Sequence, residues 1–522
     1  MSGRPPSPGP PGDTESPAVS SSIRQSQVSQ APPTSSSMYN QSYTSQQNKS
    51  MRSAPAPKGV DPQTATLRFC VIVCGILVII CLGVVAIVLP LVTDLYCDCE
   101  SSTRDSAQPT PAPGTPTLSP SFPPTSERFT QFVNGYAAEI SGTEAFEDYS
   151  SPQFQAAEFI ANEVSFDVSD LDQLGDLYAL SVFYYSTNGD DWKECSQGDT
   201  ICLAGQSWMN PELNHCQWAW ISCNDDGRVV NVIFTDAEGN NLDGPLTLEL
   251  GLLTELTQFV AVNNKITGNF PEEFGELTKV THLILASNSM SGVIADDFLI
   301  NSPVEIFMVN NNEFSGAIPR SLTEISTLSQ LLLANNRFNG AIPEEFGRLT
   351  NLGTLDLTGN QFIGVIPDAI YSDSIENLFL GENPQLQGTI SSAIGQANNL
   401  SRLRITNTGI SGSIPNEIYS LPRLAELDLS DNSLTGQLSG SVSNLGDTLR
   451  ILKLEGNNFN GVLPSSAIDQ LVVSNVLKFE RNSFTGTISA NTCARRGDGR
   501  NELDQLTVDC EEVTCNCCDN CT

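Results

Sequence analysis

The sequence predicts an α/β solenoid: short parallel strands stacked along one concave face, with a helical cap at one end and a cysteine-rich cap at the other. Three observations carry this. Near-identical stretches recur, "NNKITGNFPEEFG" from Asn263, "NNEFSGAIP" from Asn311 and "NNRFNGAIPEEFG" from Asn335. The glycine of each such stretch (Gly244, Gly268, Gly292, Gly316, Gly340, Gly364, Gly388, Gly412, Gly436, Gly461, Gly486) follows the last at eight intervals of 24 residues and two of 25. Finally, 522 residues are too many for one ordinary core, and a fixed period in that range marks a repeat array.

The elements follow in chain order. Residues 1–68 are rich in Ser, Pro and Gln ("SQVSQAPPTSSS") and hold too little apolar mass to fold, so a disordered tail is expected. Residues 69–92, "FCVIVCGILVIICLGVVAIVLPLV", carry no charge over 24 residues. A helix there spans roughly 36 Å, enough for a hydrocarbon core of about 30 Å, and predicts one transmembrane helix. A secretory signal is a poor alternative, because its apolar stretch lies nearer the N-terminus and is shorter. Lys49, Arg52, Lys58 and Arg68 precede the span, while Asp94, Asp98 and Glu100 follow it. The positive-inside rule then predicts a signal-anchor protein of the plasma membrane, its N-terminus cytoplasmic and its large C-terminal portion extracellular. Residues 93–126 hold "QPTPAPGTPTLSPSFPPTS" and read as an extended, O-glycosylated stalk. In "YCDCE", Cys97 and Cys99 could link two chains, pair with each other or stay free.

Residues 127–229 are expected to form the helical cap. Ser151-Pro152 starts one helix, with Phe154, Ala157, Ile160 and Val164 at helical spacing. A second, "LDQLGDLYALSVFYYS", sets Leu171, Leu174, Leu177 and Tyr178 on one side and stops at "TNGDDW". About eleven units fill residues 230–490. In "LSQLLLANNRFNGAIPEEFGRL", Leu328, Leu331 and Leu333 point inward from a short strand, and Asn336 pairs with backbone groups freed by the bend. Gly340 allows the tight passage that follows, while Phe338, Ile342, Phe346 and Leu349 fill the back of the layer. No unit buries its own apolar face, so each needs neighbours and both ends need caps. Departures are few. Thr408 replaces the turn asparagine, Asn383 comes one residue early, and the first unit is two or three residues long before Asn240. Residues 491–522 form the C-terminal cap.

The "L-x-x-L-x-L-x-x-N" pattern and the "L-x-G-x-I-P" ending resemble the plant-type leucine-rich repeats of receptor-like proteins. "HCQWAWISCNDDGRVVNVIF" is similar to the N-terminal cap of those receptors, where a C-x6-C pair precedes the first strand; here it is Cys216 and Cys223. "SPQFQAAEFIANE" and the closing "LTVDCEEVTCNCCDNC" resemble membrane-anchored repeat proteins of diatoms and related algae. Cys195 and Cys202 share the C-x6-C spacing, so two local disulfides are expected in this cap. At the other end Cys493, Cys510, Cys515, Cys517, Cys518 and Cys521 are expected as disulfides of undetermined connectivity, with thiolate zinc as the alternative. Many relatives carry a cytoplasmic kinase; H-R-D, D-F-G and a strand lysine motif are missing here, so no kinase domain is expected.

Composition narrows the function further. Residues 1–92 hold six basic and three acidic residues, so the other 430 carry 57 acidic and 19 basic ones. Such a surface repels nucleic acid and favours cations or cationic partners. Only His215 and His282 are present, and no triad, paired-carboxylate motif or nucleotide loop occurs, so no enzyme, cofactor or metal is expected. His215 is assigned to cap packing. Asn399 in "NLS" and Asn520 in "NCT" are glycosylation acceptors if this side is lumenal. The concave face is where solenoids bind. Its central strand position reads Val260, Ile284, Met308, Leu332, Asp356, Phe379, Arg404, Asp428, Lys453, Lys478. The apolar run, with Phe379, is the candidate contact for an extracellular protein, peptide or polysaccharide. A receptor-like or co-receptor subunit is expected, signalling through a partner of its tail or membrane span. The alternatives are a membrane-tethered structural or adhesive protein of the cell covering, or a tethered inhibitor of wall-degrading enzymes.

Overall fold

The computed structural model describes residues 126–164, 170–199, 202, 205–496 and 502–519. The expected tail, transmembrane helix and most of the stalk lie outside them, as do Asn520 and Cys521. Among the described residues no helix is long and apolar enough to cross a membrane.

The described residues open with four α-helices, α1 (Glu127–Phe132), α2 (Ala138–Ser141), α3 (Pro152–Asn162) and α4 (Leu171–Ser186). Ser151 caps α3 by accepting from the Phe154 N–H at 3.0 Å, with Pro152 in the first turn where its missing N–H costs nothing. Asp170 caps α4 in the same way. Leu177 and Tyr178 of α4 are buried as expected, but Leu171 is 65% exposed. It stands in the first turn, before the helix reaches the sheet.

From residue 221 onward the backbone builds two sheets. The first has 13 strands: Ile221–Cys223 pairs antiparallel with Val229–Phe234, and every later pairing is parallel. Gln330–Leu332 lies between Ile306–Met308 and Thr354–Asp356 in this way. The second sheet, of 12 strands, uses the stretch around each repeat glycine, such as Arg337–Ala341. Only a concave sheet was expected, so this second one is a finding. In Arg337–Ala341 the alternation of exposed Arg337 and Asn339 with buried Phe338 is the two-residue period of a strand with one wet face. Gly340 sits at a φ of 82°, the left-handed region that glycine enters without cost.

Between the sheets runs one continuous apolar core. Leu328, Leu331, Leu333, Phe338, Ile342, Phe346 and Leu349 are all buried in it, as the repeat pattern requires. Asn336 stitches units together: its Nδ2 donates to the carbonyls of Leu333 and Val309, and its Oδ1 accepts from the Phe314 N–H. Asn312, Asn360, Asn383 and Asn457 repeat the scheme, so the early position of Asn383 is absorbed without losing a bond. Thr408 does not reproduce these bonds: its hydroxyl accepts from the Ile410 N–H of its own unit and donates to the Asn432 amide oxygen of the next.

The caps seal the apolar ends. Trp192, Trp208 and Trp218 pack with Phe183 and Phe234 beneath the first strands. Disulfides Cys195–Cys202 and Cys216–Cys223 form as expected. Asp176, fully buried, takes both the Arg228 guanidinium at 2.9 Å and the Val229 N–H at 2.7 Å, tying α4 to the first long strand. At the far end Gln505–Thr507 and Val513–Thr514 extend the two sheets into the C-terminal cap. Cys493–Cys517 and Cys515–Cys518 close it, and Cys510 is also disulfide-bonded.

Candidate functional site

The concave strands place the expected contact residues side by side. Val260 pairs with Ile284, Ile284 with Met308 and Met308 with Leu332, and the register continues through Asp356 and Phe379 to Arg404. Gln258, His282, Ile306 and Gln330 form the adjoining row. At about 4.8 Å per strand, the four apolar residues make a stripe about 14 Å long.

Exposure along the stripe is uneven. Val260 and Ile284 are only 5% and 3% exposed, yet neither belongs to the core between the sheets. Met308, Leu332 and Phe379 are half-buried and keep surface to offer. The exposed part of the run is thus narrower than its sequence suggests, and lies at Met308 and Leu332.

Beyond Asp356 the face becomes charged, and the charges are largely paired. Arg404 lies over the Phe379 ring, 5.0 Å from its centroid, and forks onto Glu426 at 2.6 and 3.1 Å. Lys453 meets Asp428 at 3.0 Å. Arg402, on the same strand as Arg404, donates its Nε to the Asn377 amide oxygen at 2.9 Å. Burial raises the Asp356 carboxyl above its ordinary value. Burial, with Asp428 and Glu480 nearby, pushes Glu455 up to about 7. Sequence reasoning passed over Glu455 because it lies one place beyond the last inward leucine, where no position was weighed.

The remaining candidates separate cleanly. His215 is buried near the Gly227 carbonyl, and desolvation lowers it to about 4. It sits beside Cys216 and Cys223, but both sulfurs are bonded to each other, leaving no thiolate for a metal. Cys493, Cys515 and Cys517 also lie close together, and are likewise held in disulfides. Asn399 is half-buried, its Nδ2 donating to the Asp373 carbonyl at 2.7 Å.

One family model matches within the repeat array. The family Leucine Rich Repeat matches residues 327–349, 351–372 and 423–445. Comparison with curated proteins gives no match. Among solved structures, the plant peptide hormone receptor RGFR1 in complex with RGF2 is 32% identical, over 48% of this chain and 40% of its own, with a TM-score of 0.46. The Arabidopsis receptor kinase HAESA, in complex with the peptide hormone IDA and the co-receptor SERK1, is 26% identical over 48% of this chain and 50% of its own, with a TM-score of 0.41. A plant ice-binding protein is 22% identical over 60% of this chain and 95% of its own, with a TM-score of 0.48. The chain spans half or less of the length of the two receptors. The family matches identify residues 327–349, 351–372 and 423–445 as leucine-rich repeats, and the other units share their spacing.

Proposed function

We propose that this chain is a single-pass cell-surface protein of the receptor-like or co-receptor kind, recognising an extracellular peptide or protein segment on its concave face. Residues 69–92 anchor it, with the tail in the cytoplasm and the repeats outside, as in the membrane-anchored algal proteins its sequence resembles. The observation that carries the reading is the juxtaposition on one face of half-exposed Met308 and Leu332 with the Phe379–Arg404 stack. An apolar centre beside polar and charged groups is how binding energy is usually concentrated. Hydrogen bonds for an extended backbone would come from the flanking row, including His282 and Gln330.

The test is a double substitution, Met308→Asp with Leu332→Asp, in the full chain. Neither side chain belongs to the core, so thermal unfolding should match the wild type. Immobilised wild-type protein should retain a defined peptide or protein from extracellular medium, identified by mass spectrometry, and the variant should lose it. A folded variant that retains the same species refutes the concave-face reading.

A further inference from the structure

The back of the solenoid is interrupted at one unit. In four other units the second-sheet strand runs into Ile-Pro and a 3-10 turn, as at Glu344–Arg348. After Ser289–Val293 the chain reads "IADDFLINSPVE", with Ala295 where its neighbours carry proline. Leu299 turns the backbone with a φ of 53°, and no helical segment forms before Ile306–Met308. Between this turn and the preceding one, Glu272–Glu276, a cleft of about 740 Å³ opens. That lies within the roughly 300–1,000 Å³ of ordinary ligand pockets.

Two chemistries meet in the cleft. Phe270 and Phe298, in contact at 4.5 Å between centroids, line it together with Val293 and Ile300. The last two are 56% and 43% exposed, Val293 at the place after the repeat glycine where Val365 and Val462 are exposed as well. Around them stand the exposed carboxylates of Glu272, Glu276 and Asp297. Among the described residues no lysine or arginine forms an ion pair with any of the three. An occupant that satisfies both must bring positive charge and an apolar group together.

We propose that this cleft binds a cationic peptide segment in which an aliphatic or aromatic residue lies between lysines or arginines. The apolar side chain covers Val293 and Ile300 over the two phenylalanines, and the basic groups meet Glu272, Glu276 and Asp297. A small inorganic cation would leave the aliphatic surface wet, and an anionic or neutral ligand would leave the carboxylates unopposed. The cleft is formed by back turns rather than by concave strands, so the inference stands apart from the function proposed above.

The experiment titrates the full chain with two labelled peptides, one alternating lysine and leucine, the other alternating lysine and serine, and reads fluorescence anisotropy. The leucine peptide should saturate, binding about tenfold more tightly than the serine peptide, as burial of aliphatic side chains implies. Glu272→Gln, Glu276→Gln and Asp297→Asn together should weaken it about tenfold, the combined effect of three partly screened ion pairs. Val293→Ser with Ile300→Ser should remove the preference for leucine. A control, Glu139→Gln, Glu144→Gln and Glu147→Gln, makes the same change in net charge at exposed cap positions and should leave affinity within about twofold. All substituted residues are exposed, and matching melting curves confirm intact folds. Equal losses in the cleft and control variants would overturn the proposal, since binding would then follow overall acidity. So would equal affinity for the two peptides, or no saturable binding.

Discussion

Glu455 occupies a place where neighbouring units carry Ser430 and Glu480, just outside the layer of inward leucines. One carboxylate oxygen is buried without a hydrogen-bond partner, and the residue is protonated more readily than in water, at about 7 instead of 4.5. The folded state therefore holds a proton that the unfolded chain has already released between these values, so stability falls as pH rises from about 4.5 to 7 and levels off above. Glu455→Gln should remove this slope. Its melting temperature relative to the wild type should rise between pH 5 and pH 8, whereas a constant difference would mean that the carboxyl is solvated. At this scale the sequence was partly legible. Asn336 could be assigned a backbone role because an amide at a tight bend supplies both donor and acceptor. The burial of Val260 and Ile284 could not, because exposure on a sheet face depends on what lies against it and not on the strand's own residues.

Among the elements, α3, α4 and the concave strands were legible because caps and apolar spacing are local signals. The second sheet was missed for a physical reason. Its strands, such as Gln361–Val365, are short and interrupted by glycine, which ordinarily weakens a strand. Stacking supplies what the segment lacks, since each unit presents the same hydrogen-bonding edge to the next. The cap disulfides were legible from spacing, and their energetic place can be tested. Cys216 and Cys223 lie between a 3-10 turn and the antiparallel edge strand. Replacing both with serine removes a constraint typically worth about 2–5 kcal/mol in a small secreted unit. Hydrogen exchange followed by mass spectrometry should show faster exchange in Ile221–Phe234 and α4 and unchanged protection beyond the middle of the array. Uniform loss along the solenoid would contradict nearest-neighbour stacking.

At the scale of the whole molecule, charge is the most informative quantity. The acidic excess lies almost wholly after residue 92, while basic residues cluster before the apolar stretch at 69–92. If that asymmetry sets the orientation, protease added to intact cells should release fragments from beyond residue 100 and spare an N-terminal tag. Release of the tag with the repeats protected would invert the topology, and with it the glycosylation expected at Asn399. The cleft between the second and third units was illegible in the sequence, since the space between two turns follows from their relative placement rather than from either alone.

The asparagine stitch also bears on how such a molecule changes over generations. The Asn336 amide joins its own unit to the preceding one through backbone atoms alone, so that joint is indifferent to which side chains its neighbour carries. The array is therefore modular in the sense that matters for gene duplication: a unit can be copied or lost in frame without redesigning the rest. Excising residues 340–363 would join Asn339 to Gly364 and restore the repeat phase across the seam. The shortened protein should fold with both caps intact and both sheets one strand narrower, shorter by about 4.8 Å. Excising half that length should collapse the stack, and circular dichroism with small-angle scattering would separate the two outcomes. Length in this protein is a heritable dial with one click per unit, and the strand face is drawn out or cut back by the same increment.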